Sequence, residues 1–567
     1  MRMERGEKRL RQNEGLRFGL AKHSAWYLSL ACIIFAAVIV AQFPVYFRAD
    51  DVYYLKWAHG HDQALSSFLP SQAVLLGMFR PLQNLTWWLL YHAFGLNPLP
   101  YHFFIVLLYS FSFLVYFKLI ELVFSLRVAC FALLAYFSTF FYLIYIMFWF
   151  SDLTYIIEIF FINLSLLLLI SAVKRRGHYI WGILSYLCAT LAKEPAILIV
   201  PAVFSVYLFS EWRSLEHDKR KQSAMVAGAL IFLAALAITF NPFLHSRQGL
   251  SFSLGLPGIA EFIAQRWDFY AGYLFSEPGI LILFSVFFLV LMEFARKKLL
   301  DTARWFYISL AVSAILSLIL KRFQAVALFA LTAAFVPFWI RRSKVSFAAV
   351  WFLLPLLGVM TISYMVRTYL MEASFGMAII VGYALSEIVA HAGAQLRRLP
   401  LQVVRIAIPA LLGLILLLGI RGLGSKIKTK LEALHLLSAS RQNCKNAVEY
   451  ASSHLEAANN TLIVIDYEDM GLNYINDFLP LDDRTKAQRQ KTLLSHELGE
   501  LLQLAGEKYL SVHNLAWFLD SSETDQSFLL VMNNFERDFA EHLNLKKEIQ
   551  FETGKYGEGA WLYRVTK

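Results

Sequence analysis

Long apolar segments recur along most of the chain, and they constrain its fold more than any other feature. The first follows a basic N-terminus and covers residues 26–46, which is long enough to cross a bilayer as a helix. Of the 567 residues, 58% are hydrophobic and only 16% are charged, a composition far from that of soluble domains. The sequence therefore predicts an α-helical polytopic membrane protein.

Candidate membrane spans were located as runs of about 20 apolar residues, with shorter or tilted runs allowed. About thirteen transmembrane helices are predicted. Their approximate bounds are 26–46, 101–121, 128–149, 153–172, 178–192, 195–210, 223–241, 279–295, 303–320, 323–340, 345–364, 372–390 and 403–421.

The positions of Lys and Arg predict the orientation of these spans. Clusters such as 174–176, 219–221 and 296–298 fall on the side that holds the N-terminus, as the positive-inside rule requires of cytoplasmic segments. The net charge of +11 therefore marks topology, and no nucleic-acid partner is expected. With no eukaryotic targeting signal evident, we predict a bacterial inner membrane.

Three parts of the chain are expected. Residues 1–25 form a basic cytoplasmic N-terminus, and residues 26–423 form the transmembrane domain, with long outer loops at 48–100 and 242–278. Both loops mix apolar and polar residues in the manner of helices that lie in the membrane interface. Residues 424–567 follow an odd number of spans and should form a soluble periplasmic domain.

This C-terminal segment alternates helix-like and strand-like patterns. Strands are predicted at 461–467, 528–534 and 559–565, and helices at 425–458 and 486–504. Such alternation is typical of a small α/β domain. It contains no phosphate-loop glycine motif and no nucleophile elbow, so the chemistry is expected in the membrane domain.

Adjacent carboxylates, Asp50 and Asp51, follow the first span. Ionisable groups at a membrane boundary are costly to hold and are functional candidates, although a helix N-cap would also explain an Asp there. Further ionisable residues lie close to the predicted outer ends of other spans. They are Arg80, His102, Asp152, Glu158, Lys193, Glu194, Lys321, Arg322 and Arg367.

A layer that combines carboxylates with cations suits one kind of reaction. A carboxylate can take a proton from an acceptor hydroxyl, while Arg and Lys neutralise a departing phosphate. Simpler interpretations exist for single residues. Lys193 and Glu194 could form one interfacial ion pair, His102 could be a satisfied helix-start histidine, and Asp152 could cap the helix that follows it.

Three stretches together resemble a known family. They are FRADDVYY after the first span, FRPLQNLTWWLLYHAFGLNPLPYHFFIVLLYSF at 79–111, and LAKEPAILIVP at 191–201. They are similar to the C-type membrane glycosyltransferases, and most of all to the protein O-mannosyltransferase-like branch, with the aminoarabinose transferases sharing the same plan of spans. The resemblance covers roughly residues 20–210.

The resemblance implies an inverting transferase that uses a polyprenyl-phosphate-linked sugar. One carboxylate of Asp50 and Asp51 would be the general base, and family precedent favours Asp50. Arg80, His102 and Lys193 would then lie near the donor phosphate. Arg322 and Arg367 are further candidates for binding the phosphate, because they are cations predicted on the same outer face. Asp152, Glu158 and Glu194 are additional acidic candidates.

Three departures from the family pattern bear on the acceptor. Phe79 replaces the usual Tyr before Arg-Pro-Leu, and Tyr109 stands where a second histidine is common in the repeat-bearing branch. The tetratricopeptide repeats of that branch are absent from this sequence. A lipid, a glycan and a protein hydroxyl therefore all stay open as acceptors.

Two alternatives come from other classes of protein. A flippase or transporter of lipid-linked glycans would be expected to show internal repeats and midplane binding groups, and neither is visible in the sequence. A non-catalytic scaffold would not need the acidic pair. His102, Glu158 and Glu194 are candidate ligands for a divalent metal, but no spacing indicates a metal site, and the four cysteines show none either.

Overall fold

The computed structural model describes the chain in separate stretches of helix and strand. These are residues 50–69, 79–139, 150, 153–175, 177–240, 344–359, 371–396, 460–465, 511–513, 526–531, 546–550 and 561–565. Ten α-helices and five β-strands lie within them. Of the described helices, three are long and apolar enough to cross a membrane, which agrees with the predicted helical membrane fold.

The helices are numbered here in chain order. They are α1 (Asp50–His59), α2 (Pro81–Phe94), α3 (Pro98–Val123), α4 (Leu126–Thr139), α5 (Leu153–Arg175), α6 (Tyr179–Ala192), α7 (Ala196–Glu211), α8 (His217–Phe240), α9 (Val345–Val359) and α10 (Met371–Leu396). A 3-10 turn covers Ala64–Phe68.

Local sequence signals explain the boundary between α2 and α3. Gly95 ends α2 at a positive φ of 54°, a conformation that costs glycine little. Two residues later the Asn97 side chain caps α3 by accepting a hydrogen bond from the Leu99 backbone N–H at 3.2 Å. Pro98 occupies the first turn, where its missing N–H costs nothing. The predicted loop 48–100 therefore contains short helices, as expected.

Helices α1 and α2 pack side by side in the same direction. Tyr54 stacks on Trp87 with ring centroids 5.3 Å apart, and farther along both helices the His59 Nδ1 lies 2.8 Å from the Tyr91 hydroxyl. From the N-terminus of either helix, the Tyr54–Trp87 contact comes before the His59–Tyr91 contact. One turn before the Tyr54–Trp87 contact, Asp51 on α1 and Gln83 on α2 therefore lie at a similar level.

The core of the bundle uses close helix contacts. A Cβ on Gly376 of α10 would lie 2.4 Å from the Phe352 backbone N of α9, and one on Gly382 would lie 2.5 Å from the Ala132 backbone N of α4. Small residues allow such approaches in membrane bundles. The Tyr116 hydroxyl of α3 donates to the Phe375 carbonyl at 2.8 Å, so α10 is held against three helices.

The separation between predicted spans 178–192 and 195–210 is confirmed, since α6 ends at Ala192 and α7 begins at Ala196. Helices α3, α4, α5, α8, α9 and α10 also overlap predicted spans. Residues 140–149 of the predicted span 128–149 lie outside the described residues. The count of thirteen stays a prediction, because spans 26–46, 279–295, 303–320, 323–340 and 403–421 lie outside the described residues, as does the loop 242–278.

The C-terminal segment contains a five-stranded mixed sheet. Its strands are β1 (Asn460–Ile465), β2 (Ser511–His513), β3 (Gln526–Val531), β4 (Lys546–Gln550) and β5 (Trp561–Val565), in the order β2-β1-β3-β5-β4. Strand β1 pairs in parallel with β2 and β3, and β5 pairs antiparallel with β3 and β4. The three predicted strands are present, β2 and β4 were not predicted, and the predicted helices lie outside the described residues.

Candidate functional site

The short segment between α6 and α7 is the centre of the candidate site. Lys193 and Glu194 are neighbours in this segment, yet each forms its closest ion pair with a different part of the chain. Arg80, the N-cap residue of α2, donates to Glu194 through Nε at 3.0 Å and through Nη2 at 2.9 Å. This bidentate geometry is the strongest form of Arg–carboxylate contact.

The Arg80–Glu194 pair is mutually stabilised in its charged form. Burial alone would lower the pKa of Arg80, but the charge and hydrogen bonds of Glu194 outweigh it and raise that pKa. Burial alone would raise the pKa of Glu194, but Arg80 outweighs it and lowers that pKa below its ordinary value. Both groups therefore stay ionised at neutral pH.

The Lys193 side chain is more buried than that of Glu194 and contacts different helices. Its Nζ is 2.9 Å from Glu372 Oε1 of α10 and 3.9 Å from Glu158 Oε2 of α5. The ammonium also lies 3.1 Å from the ring centroid of Tyr155, where a cation–π attraction adds to the ion pairs. Only 2% of the Lys193 side chain is exposed, so its charge is directed at protein groups.

Glu158 fixes the start of α7 as well. Its Oε1 accepts a hydrogen bond from the Ala196 backbone N–H at 2.8 Å, which satisfies one of the unpaired donors at that helix end. The segment 193–196 is thus tied to α2, α5 and α10 at once. The sequence suggested Lys193 and Glu194 as one ion pair, whereas the structure gives each its own partners.

The acidic pair lies in α1. Asp51 is fully buried, and the side chain of Asp50 lies outside what the structure describes. Tyr54, one turn after Asp51, acts electrostatically on Arg80, as does Tyr155. Helix α1 therefore carries the carboxylate into the neighbourhood of the Arg80–Glu194 pair.

The remaining predicted residues lie elsewhere or outside the described part. His102 is fully buried near the start of α3, and its ring packs on Phe150 at 4.2 Å. The structure does not describe Asp152, Arg322 or Arg367. Within the described stretches, no group of three or more His, Cys, Asp and Glu side chains could hold a metal ion.

Two residues of this cluster were missed at the sequence level. Glu372 begins a predicted span and contacts Lys193 across 179 residues of sequence, so no local pattern connects them. Tyr155 lies one turn before Glu158 in an apolar helix and resembles any other core aromatic. The only available signal was that a carboxylate at a span end needs a partner, and this applied to Glu372 too.

Comparisons with known proteins give matches at the level of structure alone. No family model matches the sequence, and no curated protein matches it. The structure is similar to ArnT from Cupriavidus metallidurans bound to undecaprenyl phosphate, with 12% identity, 95% of this chain and 98% of that chain covered, and a TM-score of 0.44. The apo state of the same protein gives 11% identity over the same shares of both chains and a TM-score of 0.42.

An archaeal structure gives a similar result. The oligosaccharyltransferase of Archaeoglobus fulgidus, tethered with an acceptor peptide, is 12% identical, with 94% of this chain and 74% of that chain covered and a TM-score of 0.40.

Proposed function

We propose that the chain is a membrane glycosyltransferase. It moves a sugar from a polyprenyl-phosphate donor to the hydroxyl of a lipid, glycan or protein acceptor, at the outer face of a bacterial inner membrane. The observation that carries the proposal is the placement of a buried carboxylate, Asp51, on α1. Helix α1 packs against α2, and the N-cap residue of α2 is the partly exposed cation Arg80. The motifs around these residues support the same class.

The reaction needs a base and an anion-binding cation. One carboxylate of Asp50 and Asp51 takes the proton of the acceptor hydroxyl, and the acceptor oxygen forms a bond to the anomeric carbon. The bond from that carbon to the phosphate oxygen breaks, and the electron pair leaves with the polyprenyl phosphate. A single displacement of this kind inverts the anomeric configuration.

Arg80 suits the phosphate better than Lys193 does. Its side chain retains 14% exposure, against 2% for Lys193. Glu194 occupies Nε and Nη2, and a guanidinium has further N–H donors on Nη1. We assign Arg80 to the developing phosphate charge, and Lys193 to holding the segment that carries Glu194.

Undecaprenyl phosphate, the lipid bound by the Cupriavidus ArnT, is a suitable first probe. Purified protein is given undecaprenyl-phosphate sugars with a panel of acceptors, and transfer and donor hydrolysis are measured. Asp50→Asn and Asp51→Asn are tested singly and together, because each carboxylate is a candidate base. We expect the double variant to lose transfer by about 100-fold or more while still binding undecaprenyl phosphate.

Asp62→Asn is the matched control, since Asp62 is an exposed carboxylate in the same loop. It should transfer at the wild-type rate. Full activity in the double variant would overturn the catalytic assignment. Binding of the lipid-linked sugar without turnover in any protein would favour transport of lipid-linked glycans instead.

A further inference from the structure

The proposed mechanism gives no role to the buried amide of Gln83, which lies on α2 one turn after Arg80. Gln83 is 1% exposed, and among the described residues neither its Oε1 nor its Nε2 has a hydrogen-bond partner. The indole N–H of Trp87, one turn later on α2, is likewise buried without a partner in the described part of the chain. Unsatisfied polar groups of this kind are rare in folded proteins and costly.

The position of Gln83 is defined by two neighbours. Along α2 it lies one turn after Arg80, whose carbonyl accepts the Asn84 N–H at 3.1 Å. Across the α1–α2 pair it lies level with Asp51, as the Tyr54–Trp87 and His59–Tyr91 contacts require. Gln83 therefore lies one turn from Arg80, the cation assigned to the phosphate, and on a helix packed against the one that carries Asp51, a carboxylate assigned to the acceptor proton.

The group that lies between phosphate and base during transfer is the sugar ring. An amide suits a sugar with neighbouring hydroxyls, because its N–H donates to one hydroxyl oxygen while its carbonyl accepts from the next. The indole N–H adds a third polar contact, and the aromatic rings of Tyr54, Trp87 and Tyr101 lie together beside it. Few polar groups among aromatic side chains are typical of ligand sites.

We infer that Gln83, with the Trp87 indole N–H, binds adjacent hydroxyls of the donor sugar and sets which sugar is transferred. This inference rests on the proposed function. The class of ligand is a hexose or pentose ring with two neighbouring free hydroxyls. The rest of the donor, the lipid phosphate, is bound independently of Gln83.

The test compares wild type with Gln83→Leu, which removes the amide and leaves an apolar side chain one atom shorter. Binding of sugar-free undecaprenyl phosphate and transfer from its hexosyl and pentosyl esters are measured, and then transfer from esters that lack one sugar hydroxyl. We expect kcat/KM for the preferred sugar to fall about ten- to a hundredfold, with lipid binding unchanged. The variant should also lose the discrimination that wild type shows against one of the deoxy donors.

Ser205→Ala is the control, because the Ser205 hydroxyl on α7 is another buried polar group without a described partner. It should leave transfer unchanged. Gln83→Leu with wild-type transfer and wild-type discrimination would overturn the assignment of Gln83 and leave the proposed function intact. Wild-type protein that transfers none of the offered sugars would instead count against the proposed function itself.

A loss of folding is separated from a loss of recognition by thermal unfolding. Removing an unpaired buried amide should leave the unfolding midpoint unchanged or raise it. If Gln83→Leu lowers the unfolding midpoint and loses lipid binding as much as it loses transfer, Gln83 has a structural partner. This outcome would also overturn the assignment.

Discussion

Replacing Lys193 with Met removes the cation that Glu158 and Glu372 share. At an effective dielectric constant of about 20, the attraction across the 2.9 Å to Glu372 is about 6 kcal/mol. Burial of all three groups offsets much of this. Truncating one partner of a buried pair typically costs about 3–5 kcal/mol, because the other partner is left without compensation. We expect Lys193→Met to destabilise the protein by that amount.

The assay is unfolding in detergent, with Lys118→Met as the matched control. Lys118 pairs with Glu121 at 2.7 Å, but the two side chains are 45% and 32% exposed, so the same substitution should cost only about 0.2–1 kcal/mol there. Adding Glu372→Gln to Lys193→Met should recover part of the loss. Equal, small losses for the two Met variants would refute a buried charge cluster around Lys193.

Two further predictions concern acid stability and helix packing. Because Arg80 lowers the pKa of Glu194 below its ordinary 4.5, the unfolded chain takes up that proton first, so the contribution of the pair is complete above pH 4.5 and is lost as the pH falls through the lowered pKa. The unfolding midpoints of wild type and Glu194→Gln should differ above pH 4.5 and approach each other as the pH falls through the lowered pKa. A difference between the two midpoints that does not change with pH would contradict this. Gly376→Ala should cost about 1–3 kcal/mol of unfolding free energy, because its Cβ meets the Phe352 backbone at 2.4 Å. Gly228→Ala, with nothing within 4 Å, should be neutral or stabilising by up to about 1 kcal/mol, and equal effects of the two would argue against the close α9–α10 contact.

The helices that match predicted spans could be predicted because each depends on a local run of apolar residues. The break between α6 and α7 was also visible, since Lys193 and Glu194 interrupt such a run before Pro195. The ion pairs could not be predicted in the same way, because Arg80 and Glu194 are 114 residues apart in sequence. A lone charge near a span end shows that a partner is needed and does not say which residue provides it.

In the sheet, the inner strands could be predicted from local patterns and the edge strands could not. The predicted strands β1, β3 and β5 occupy the three inner positions and contain apolar runs. The missed strands β2 and β4 are the two edges: β2 has three residues, and β4 reads KKEIQ. Edge strands are commonly short or charged, which limits aggregation, and this removes the pattern by which a strand is recognised.

The order of the strands has a consequence for how the sheet assembles. Among the described strands, β4 pairs with β5 alone, and β5 is the strand that joins it to β3. Strands β1, β2 and β3 can therefore pair without any residue after Val531. Strand β4 joins the sheet through β5, so β5 has to be in place beside β3 before β4 is connected to the other strands. A chain shortened before Trp561 would lose the contribution of two strands although only one had been removed.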